Sequence, residues 1–518
     1  MTTSTPARTF NRQHPHPAHS RRSHRAKSPR RPWTTLVVVA GGLFLAVMST
    51  TVVSVALPAI GSAMRVRSSG LEWIVDAYVI VYSSLLVTCG TAGDRLGRKG
   101  LFLAGVAAFG AGSLIAGLAP SVGVLLAGRA LQGIGPALVM PGSLTIIRAL
   151  FEDERQRALA IGTWSTASGL ALAVGPVVGG LLVADFGWRA VFLFNAPLTA
   201  ILIALAARYV PRLPRNPARG RFDWAGAMLT VVAIAALAVG TIEGQSIGWA
   251  SPLVLVAFAI GVIALGSFTV LESRHACPLV DVRLFARPNF VVANVAAFVV
   301  FFAFIGAIVY FSAYFQQAQS RSALAAGLDV CFIGIFFALG ASASGRLTGR
   351  FGARWPMIAG LVIAGGATFG LLRLGVSTGI GAIWWNFALL GGGTGLCLTP
   401  MTAVAVSAAD ASKAGMVSSV HSTFRQVGQV FGVAVLGALV YARLTARTVG
   451  SLTHFQRELF VTGLRHALLL DGIALFSAAA LAAILFARAS LVTHPQHASA
   501  SAEECGPYDP HHEPTPAP

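Results

Sequence analysis

A few charged side chains lie inside long apolar stretches of this sequence. Arg129 lies in the apolar stretch 122–146, with Gln132 almost one turn after it, and Asp76 and Arg425 lie in two other such stretches. A charge in the apolar interior of a membrane is costly, so it usually faces polar groups or water and marks the path of an ion or a substrate. These residues are therefore candidates for proton coupling or substrate contact, and the carboxylate of Asp76 is able to bind a proton or to pair with a cation.

Each of these residues also has a structural interpretation. Arg129 can serve only as a donor of hydrogen bonds between helices, and Asp76, which lies near the outer end of its segment, can be hydrated at the mouth of a cavity. For Arg425 the alternative to a role in transport is a structural role. A lone helical histidine such as His421 is more often structural than titrating. Glu243, at the end of its segment, is expected at the interface.

Composition places the chain among multispan membrane proteins. The 518 residues are 55% hydrophobic and only 11% charged, whereas soluble proteins carry about 25% charged residues. The net charge of +19 raises the possibility of a nucleic-acid partner. We exclude that class because the basic residues lie in short loops and in the N-terminal tail.

No metal site and no cofactor is expected. The five cysteines are scattered along the chain without paired spacing, which argues against both a disulfide framework and a metal centre. The phosphate-binding pattern G-x-x-x-x-G-K-[ST] is absent from the sequence, so ATP is not expected as the energy source. A clustered nucleophile and base, as an enzyme would need, is not found either.

About fourteen apolar segments must position these residues. Each is close to the roughly 20 residues that a helix needs to cross a bilayer, and the chain is therefore predicted to be an all-α membrane protein. The segments lie at about 35–59, 72–92, 101–119, 122–146, 158–183, 190–209, 224–243, 252–272, 289–315, 327–347, 355–374, 379–405, 414–440 and 466–487.

The distribution of basic residues predicts the orientation. With the N-terminus in the cytoplasm, most lysines and arginines fall in the loops on the cytoplasmic side, as the positive-inside rule requires. The basic, disordered tail 1–33 and the polar tail 489–518 are both expected in the cytoplasm. The basic stretch 441–465 is the exception, because it falls on the outer side and its role does not follow from the sequence.

A dense charge cluster separates the second and third segments and is expected to form a short loop at one membrane face. Its glycines allow a tight turn, and its basic residues favour the cytoplasmic side. A weaker copy follows at Gly345–Arg354, with Gly349 at the position that matches Asp94, which indicates an internal repeat. The residues of the first copy that we single out are Gly90, Asp94, Arg95, Gly97, Arg98 and Lys99.

The fifth segment carries a glycine-rich pattern around one proline. Proline removes a backbone hydrogen bond and is expected to kink the helix, while the glycines allow neighbouring helices to approach closely. Generic membrane packing is the alternative interpretation. The pattern consists of Gly169, Gly175, Pro176, Gly179 and Gly180.

These motifs together resemble those of the major facilitator superfamily. The charge cluster is similar to its loop between helices 2 and 3, Gly128–Gly135 to its fourth-helix motif, and Gly169–Gly180 to its antiporter motif. Thr50–Pro58 looks like the first-helix motif of the fourteen-helix drug:proton antiporters. Members of that family often carry an acid and an asparagine where this chain has Ser49 and Ser54.

The resemblance implies two six-helix bundles plus two extra central transmembrane helices. It covers roughly residues 35 to 488. The domains expected from it are a tail 1–33, an N-terminal bundle 34–210, an extra helix pair with linkers 211–288, a C-terminal bundle 289–488 and a tail 489–518.

The function that the resemblance implies is the export of hydrophobic, often cationic, compounds across the bacterial inner membrane in exchange for protons. Arg129 and Asp76 would couple the two movements, and the loop with Asp94 would hold the bundles together on the cytoplasmic side. The expected partners are a small substrate, protons and the bilayer, and the functional unit is expected to be a monomer.

Two alternatives remain open. The nearer one keeps the fold but exports a single natural product, lipid or amino acid. The more distant one is a membrane sensor that transports nothing, or a membrane enzyme.

Overall fold

The computed structural model describes residues 32–66, 68–151, 153–213, 223–274, 280–409, 413–444 and 452–491. Within these ranges the regular structure is entirely helical and no strand is present. Short 3₁₀ turns at Val282–Ala286 and Leu371–Arg373, and a π turn at Tyr314–Ala318, join some of the helices. The helices are α1 (Pro32–Met64), α2 (Ser68–Leu96), α3 (Arg98–Gly117), α4 (Val122–Leu150), α5 (Glu154–Phe186), α6 (Ala190–Leu193), α7 (Asn195–Tyr209), α8 (Trp224–Ile247), α9 (Pro252–Arg274), α10 (Pro288–Ala313), α11 (Ala323–Phe351), α12 (Arg354–Gly370), α13 (Ile380–Leu396), α14 (Leu398–Ser407), α15 (Ala414–Tyr441) and α16 (His454–Leu491).

The described helices supply thirteen segments that are long and apolar enough to cross a membrane. Two of these spans are each built from two successive helices, α6 with α7 and α13 with α14. Helix α2 is not among the thirteen, but it is 29 residues long and packs against α4, α8 and α15. Counting it gives the predicted fourteen, and the predicted all-α membrane fold is confirmed.

The helices pack as two groups with one pair beside them. We call α1–α7 the N-terminal half and α10–α16 the C-terminal half. The halves meet where α5 packs on α11, α2 on α15 and α1 on α10. Helices α8 and α9 form a hairpin whose first helix contacts α2 and α15, while much of α9 exposes apolar side chains such as Val262 and Ile263.

The glycine-rich pattern of α5 faces two different helices. A Cβ at Gly175 or Gly179 would collide with α1, at Thr51 and at the backbone of Val52 respectively. A Cβ at Gly180 would instead collide with the backbone of Leu324 on α11. The prediction that these glycines allow close helix contact is confirmed, and α5 uses them to pack within its own half and against the other half.

The charge cluster after α2 is more helical than predicted. Helix α2 continues to Leu96 and α3 begins at Arg98, so only Gly97 connects them. Gly97 adopts a φ of 97°, which an L side chain rarely tolerates, and this conformation reverses the chain in one residue. The repeat copy has a similar connection one residue longer, since Gly352, with a φ of 74°, and Ala353 separate α11 from α12.

The expected start of the last segment, at residue 466, was wrong. Helix α16 begins at His454, so the second part of the basic stretch 441–465 is helical, while 445–451 lie outside the described residues. The Nε of Arg465 donates to the carbonyl of Leu374 at 2.7 Å, and Arg457 donates to the hydroxyl of Ser320 at 2.8 Å. These arginines bind the ends of neighbouring helices, which gives a structural reason for their position.

An ion pair joins the segment before α10 to the start of α15. The Nζ of Lys413 donates to Asp281 at 2.8 Å, and the same carboxylate accepts from the backbone N–H of Arg283 at 3.1 Å. Partial burial acts to raise the pKa of Asp281, but the hydrogen bonds and the charge of Lys413 outweigh it and hold this pKa below its ordinary value.

We expect Gly327→Ala to destabilise the protein and Gly349→Ala, on the same helix, not to do so. A Cβ at Gly327 would collide with the backbone carbonyl of Pro176 in the other half, whereas nothing lies within 4 Å of a Cβ at Gly349. Overpacking of this kind costs about 1–3 kcal/mol, while alanine alone favours a helix. Melting temperatures of the purified variants measure the difference, and equal values would contradict the close α5–α11 contact.

We expect Asp281→Asn to destabilise the protein by less than about 1 kcal/mol at neutral pH, as is usual for an exposed ion pair. Because the pKa of Asp281 is lowered by folding, its stabilising effect is present above the ordinary value of about 3.9 and is lost as the pH falls through the lowered value. Melting temperatures of parent and variant should therefore converge in acid. Lys413→Ala should show the same pH profile, and a constant difference at every pH would contradict this origin.

Candidate transport site

A fully buried arginine lies at the centre of the N-terminal half. Arg129 on α4 has 0% exposure, and its Nε donates to the carbonyl of Ile74 on α2 at 2.8 Å. One terminal nitrogen donates to Gln132 Oε1 at 2.8 Å and to Ser49 Oγ at 3.2 Å. The guanidinium thus ties α4 to α1 and α2, and it confirms that Gln132 lies on the same face as Arg129.

Aromatic and hydroxyl groups complete the surroundings of this guanidinium. Its carbon lies 4.4 Å from the ring centre of Tyr78, in cation–π geometry. The hydroxyl of Tyr78 donates to the carbonyl of Ala46 at 2.7 Å, and Gln132 Nε2 donates to the hydroxyl of Ser113 on α3. Helices α1 to α4 therefore all contribute to one polar network in an otherwise apolar core.

Asp76 lies beside this network without a hydrogen bond to it. The side chain is 0% exposed, and neither carboxylate oxygen has a hydrogen-bond partner in the described part of the chain. Arg129 is near enough to interact with it electrostatically. Burial corrects the interpretation that Asp76 is hydrated at the mouth. An anion at this depth is costly, and binding a proton removes the cost.

A second acid on α2 was missed in the sequence. Glu72 lies one turn before Asp76, is 3% exposed, and also has two carboxylate oxygens without a partner among the described residues. Residues four apart share a helix face, so the spacing of Glu72 and Asp76 was a usable signal. Glu243 on α8 was expected at the interface, but it accepts a hydrogen bond from the indole N–H of Trp73 at 2.8 Å.

A small cavity separates the two halves next to Glu72. It has about 20 Å³ of space accessible to water, enough for roughly one water molecule. Ser54 and Glu72 line it from the N-terminal half, and Tyr310, Gln317 and Tyr441 line it from the C-terminal half. The remaining lining is aliphatic.

Arg425 lies in the other half, in the middle of α15 rather than near one end. Its guanidinium carbon lies 4.3 Å from the ring centre of Phe301, and its Nε has no hydrogen-bond partner in the described ranges. It interacts electrostatically with Tyr82 on α2, whose ring is 6.2 Å from that of Tyr78. Aromatic rings therefore lie between the buried Arg129 and the half-buried Arg425.

His421 takes part in a separate set of contacts. Its ring nitrogens lie 3.3 Å from Asn294 Oδ1 and 3.3 Å from Thr402 Oγ1, and the side chain is 1% exposed. These contacts connect α15 to α10 and α14, in agreement with the structural interpretation of this histidine.

The side chains of Arg98 and Lys99 are the described charged side chains of the charge cluster. Arg98 is 8% exposed and donates to the carbonyl of Pro141 at 3.5 Å, while Lys99 donates to the carbonyl of Ala207 at 2.7 Å. Both bind backbone carbonyls of their own half. The side chains of Gly90, Asp94 and Arg95 lie outside the described part of the structure, so their predicted gating role stays a prediction.

We expect Arg129→Ala to destabilise the protein by about 3–5 kcal/mol, because it leaves several buried acceptors without their donor. The matched control is Arg189→Ala, since Arg189 is exposed and makes one 3.3 Å hydrogen bond to the carbonyl of Ala119. Melting temperature and the yield of folded protein measure the effect. Similar losses for both variants would show that the buried network does not depend on Arg129.

Comparisons with known proteins agree with this architecture. Residues 39–433 match the model of the Major Facilitator Superfamily. A solved bacterial homologue of the human lysosomal transporter Spinster, in an inward-facing and unoccupied conformation, has a TM-score of 0.66 at 19% identity and covers 90% of this chain and 99% of its own. At this identity the likeness concerns the fold alone.

Curated relatives are more similar in sequence. The multidrug resistance protein Stp of Mycobacterium tuberculosis is 36% identical over 80% of this chain and 76% of its own length. The methylenomycin A resistance protein of Streptomyces coelicolor is 34% identical over 79% and 85%, and the multidrug efflux pump LfrA of Mycolicibacterium smegmatis is 33% identical over 80% and 82%. This chain therefore belongs to the major facilitator superfamily, in the branch whose curated relatives are multidrug and antibiotic resistance proteins.

Proposed function

We propose that this drug exporter is driven by protons, which move inward as hydrophobic and often cationic compounds move outward across the bacterial cell membrane. The observation that carries the proposal is Asp76, a fully buried carboxylate without a hydrogen-bond partner in the described residues, next to the buried Arg129. A carboxyl group in this position is stable when neutral. Arg129 offsets only part of the cost of its anion, since it makes no hydrogen bond to it, and water or a substrate cation must offset the rest. That is the property a proton carrier needs.

The contacts between the halves support alternating access around this site. Gln316 Nε2 donates to the carbonyl of Val55 at 3.1 Å, and the hydroxyl of Ser312 donates to the carbonyl of Ser54 at 3.4 Å. These bonds lie toward the α1–α2 connection, on the face opposite Gly97. That face is closed in this structure, and in the proposed orientation, with both termini in the cytoplasm, it is the outer face.

The predicted roles of the other motif residues belong to the same proposal. Arg129 would be the cation that stays near Asp76 in each state, and Gln132 would fix the position of its guanidinium. The stretch from Gly90 to Lys99 would hold the halves together on the cytoplasmic side when the outer side opens. Arg425 would be the corresponding cation of the C-terminal half, and one chain would be the functional unit.

A dedicated exporter of one natural product is the second candidate function. Three relatives are each named for resistance to a single antibiotic, two for methylenomycin A and one for tetracenomycin C. A panel of cationic and neutral drugs tested in one host separates the candidates. Protection against several unrelated compounds supports the broad exporter, and protection against one supports the dedicated one.

We expect cells that express the chain to expel ethidium, and a protonophore to stop this efflux. Asp76→Asn should reduce the proton-driven rate by at least about tenfold, because the amide cannot cycle between neutral and charged forms. The matched control is Asp471→Asn. Asp471 on α16 is another acid that is buried and lacks hydrogen-bond partners in the described residues, and nothing places it beside Arg129.

Two outcomes would contradict proton coupling through Asp76. Efflux that continues at the same rate with the protonophore would exclude the proton as the driving ion. Efflux by Asp76→Asn at the parent rate, in cells with equal amounts of membrane-inserted protein, would exclude this residue as the carrier.

A further inference from the structure

We propose that Glu72, Tyr310 and Tyr441 form a binding site for lipophilic organic monocations on the outer side of the exporter. The inference rests on the proposed function and names the substrate class and the residues that would select it. It concerns a different carboxylate from the proposed proton carrier. The argument starts from the environment of Glu72.

Glu72 reaches from one half of the protein to the other. It is carried by α2, yet a Cβ at Gly437 on α15 would collide with both its Oε1 and the hydroxyl of Tyr310. The carboxylate therefore occupies space that only glycine on α15 leaves free. The environment of this carboxylate therefore changes when the two halves separate.

The electrostatic surroundings of Glu72 favour a cation. The charged groups that act on it are Asp76, on the same helix, and Glu243 on α8, and both are acids. Asp76 has Arg129 nearby, whereas no described cation is identified as a partner of Glu72. The carboxylate is 3% exposed and its oxygens have no hydrogen bond in the described part of the chain, so an arriving cation meets an unpaired acceptor.

The rest of the cavity suits an organic cation better than a hydrated metal ion. The rings of Tyr310 and Tyr441 lie 6.3 Å apart at an angle of 69°, and aromatic rings attract ammonium and phosphonium groups. The hydroxyl of Tyr310 donates to the carbonyl of Val433, and the hydroxyl of Tyr441 accepts from Gln317 at 3.4 Å. The aliphatic lining from Leu57, Leu71 and Val309 matches lipophilic substituents.

The size of the cavity assigns the site to one stage of transport. Its space of about 20 Å³ holds roughly one water molecule, so an organic cation does not fit while the outer face is closed. Because its walls come from both halves, separation of α2 from α15 opens it. A cation that leaves between the two halves then meets Glu72 before it reaches the medium, and a proton replaces the cation when the face closes.

Competition between cation and proton gives the site a pH dependence. Both neutralise the same carboxylate, so binding of one weakens binding of the other. The groups that face Glu72 are Asp76 on α2, Glu243 on α8, Tyr310 on α10 and Tyr441 on α15, and α1 contributes the uncharged Ser54. Acidification is therefore expected to lower the affinity for an organic cation.

The test is the binding of radiolabelled tetraphenylphosphonium to the purified full-length protein in lipid nanodiscs, at several pH values. Glu72→Gln should weaken binding by about tenfold, as expected for loss of an ion pair worth about 1.4 kcal/mol, and should abolish the weakening of binding in acid. Tyr441→Leu should also weaken it, and Tyr441→Phe should restore most of the loss because it keeps the ring. Asp471→Asn is the control and should bind like the parent.

Three results would overturn the inference. They are a parent protein that does not bind tetraphenylphosphonium, a Glu72→Gln variant that binds it as tightly as the parent, and a loss that leaves the pH profile unchanged. If Glu72→Gln does not fold, the comparison of Tyr441→Leu with Tyr441→Phe tests the site instead. Equal binding of tetraphenylphosphonium by these two variants excludes the site. The assay requires no transport, so failure of proton-driven efflux would count against the proposed function and not against this site.

Discussion

The structure depends on how the Arg129 guanidinium, which is removed from water, is supplied with hydrogen-bond acceptors. A buried cation must find acceptors close by, and in a helix bundle nearly all backbone carbonyls are already used. Arg129 finds them on α2, at Ile74 and Val75, and on the side chains of Gln132 and Ser49. These contacts fix α1, α2 and α4 relative to one another, and they hold the acidic face of α2 next to the interface between the halves.

Close backbone packing is the second constraint, because it allows the halves to meet without many polar contacts. In lipid, apolar side chains gain little by leaving the membrane, so association depends on fit. Glycines on α5 and α11 supply that fit across the interface: a Cβ at Gly180 would collide with Leu324, and one at Gly334 with Ala173. The α5–α11 part of the interface therefore holds by close backbone packing.

Helix α2 brings these two constraints together. It packs against α4 in its own half, α15 in the other half and α8 of the extra pair. The first helix carries Ser49 and Ser54 where related exporters often have an acid and an asparagine. In this chain Ser49 binds Arg129 and Ser54 lines the cavity with Glu72. The acids that face those two sites come from α2, which places the proposed coupling and recognition groups one turn apart.

The spacing of residues along the sequence was by itself enough to predict the membrane spans and some of the contacts within one helix. Segment length predicts the membrane spans, and residues three apart, Arg129 and Gln132, meet because one helix carries both. The tertiary structure decided the rest. Glu72 is near a helix end, and its burial depends on α15 and α10, more than 200 residues later in the chain. The same holds for α16, whose first turns are positioned by contacts of Arg457 and Arg465 with distant loops. Burial depends on neighbours that local spacing does not encode.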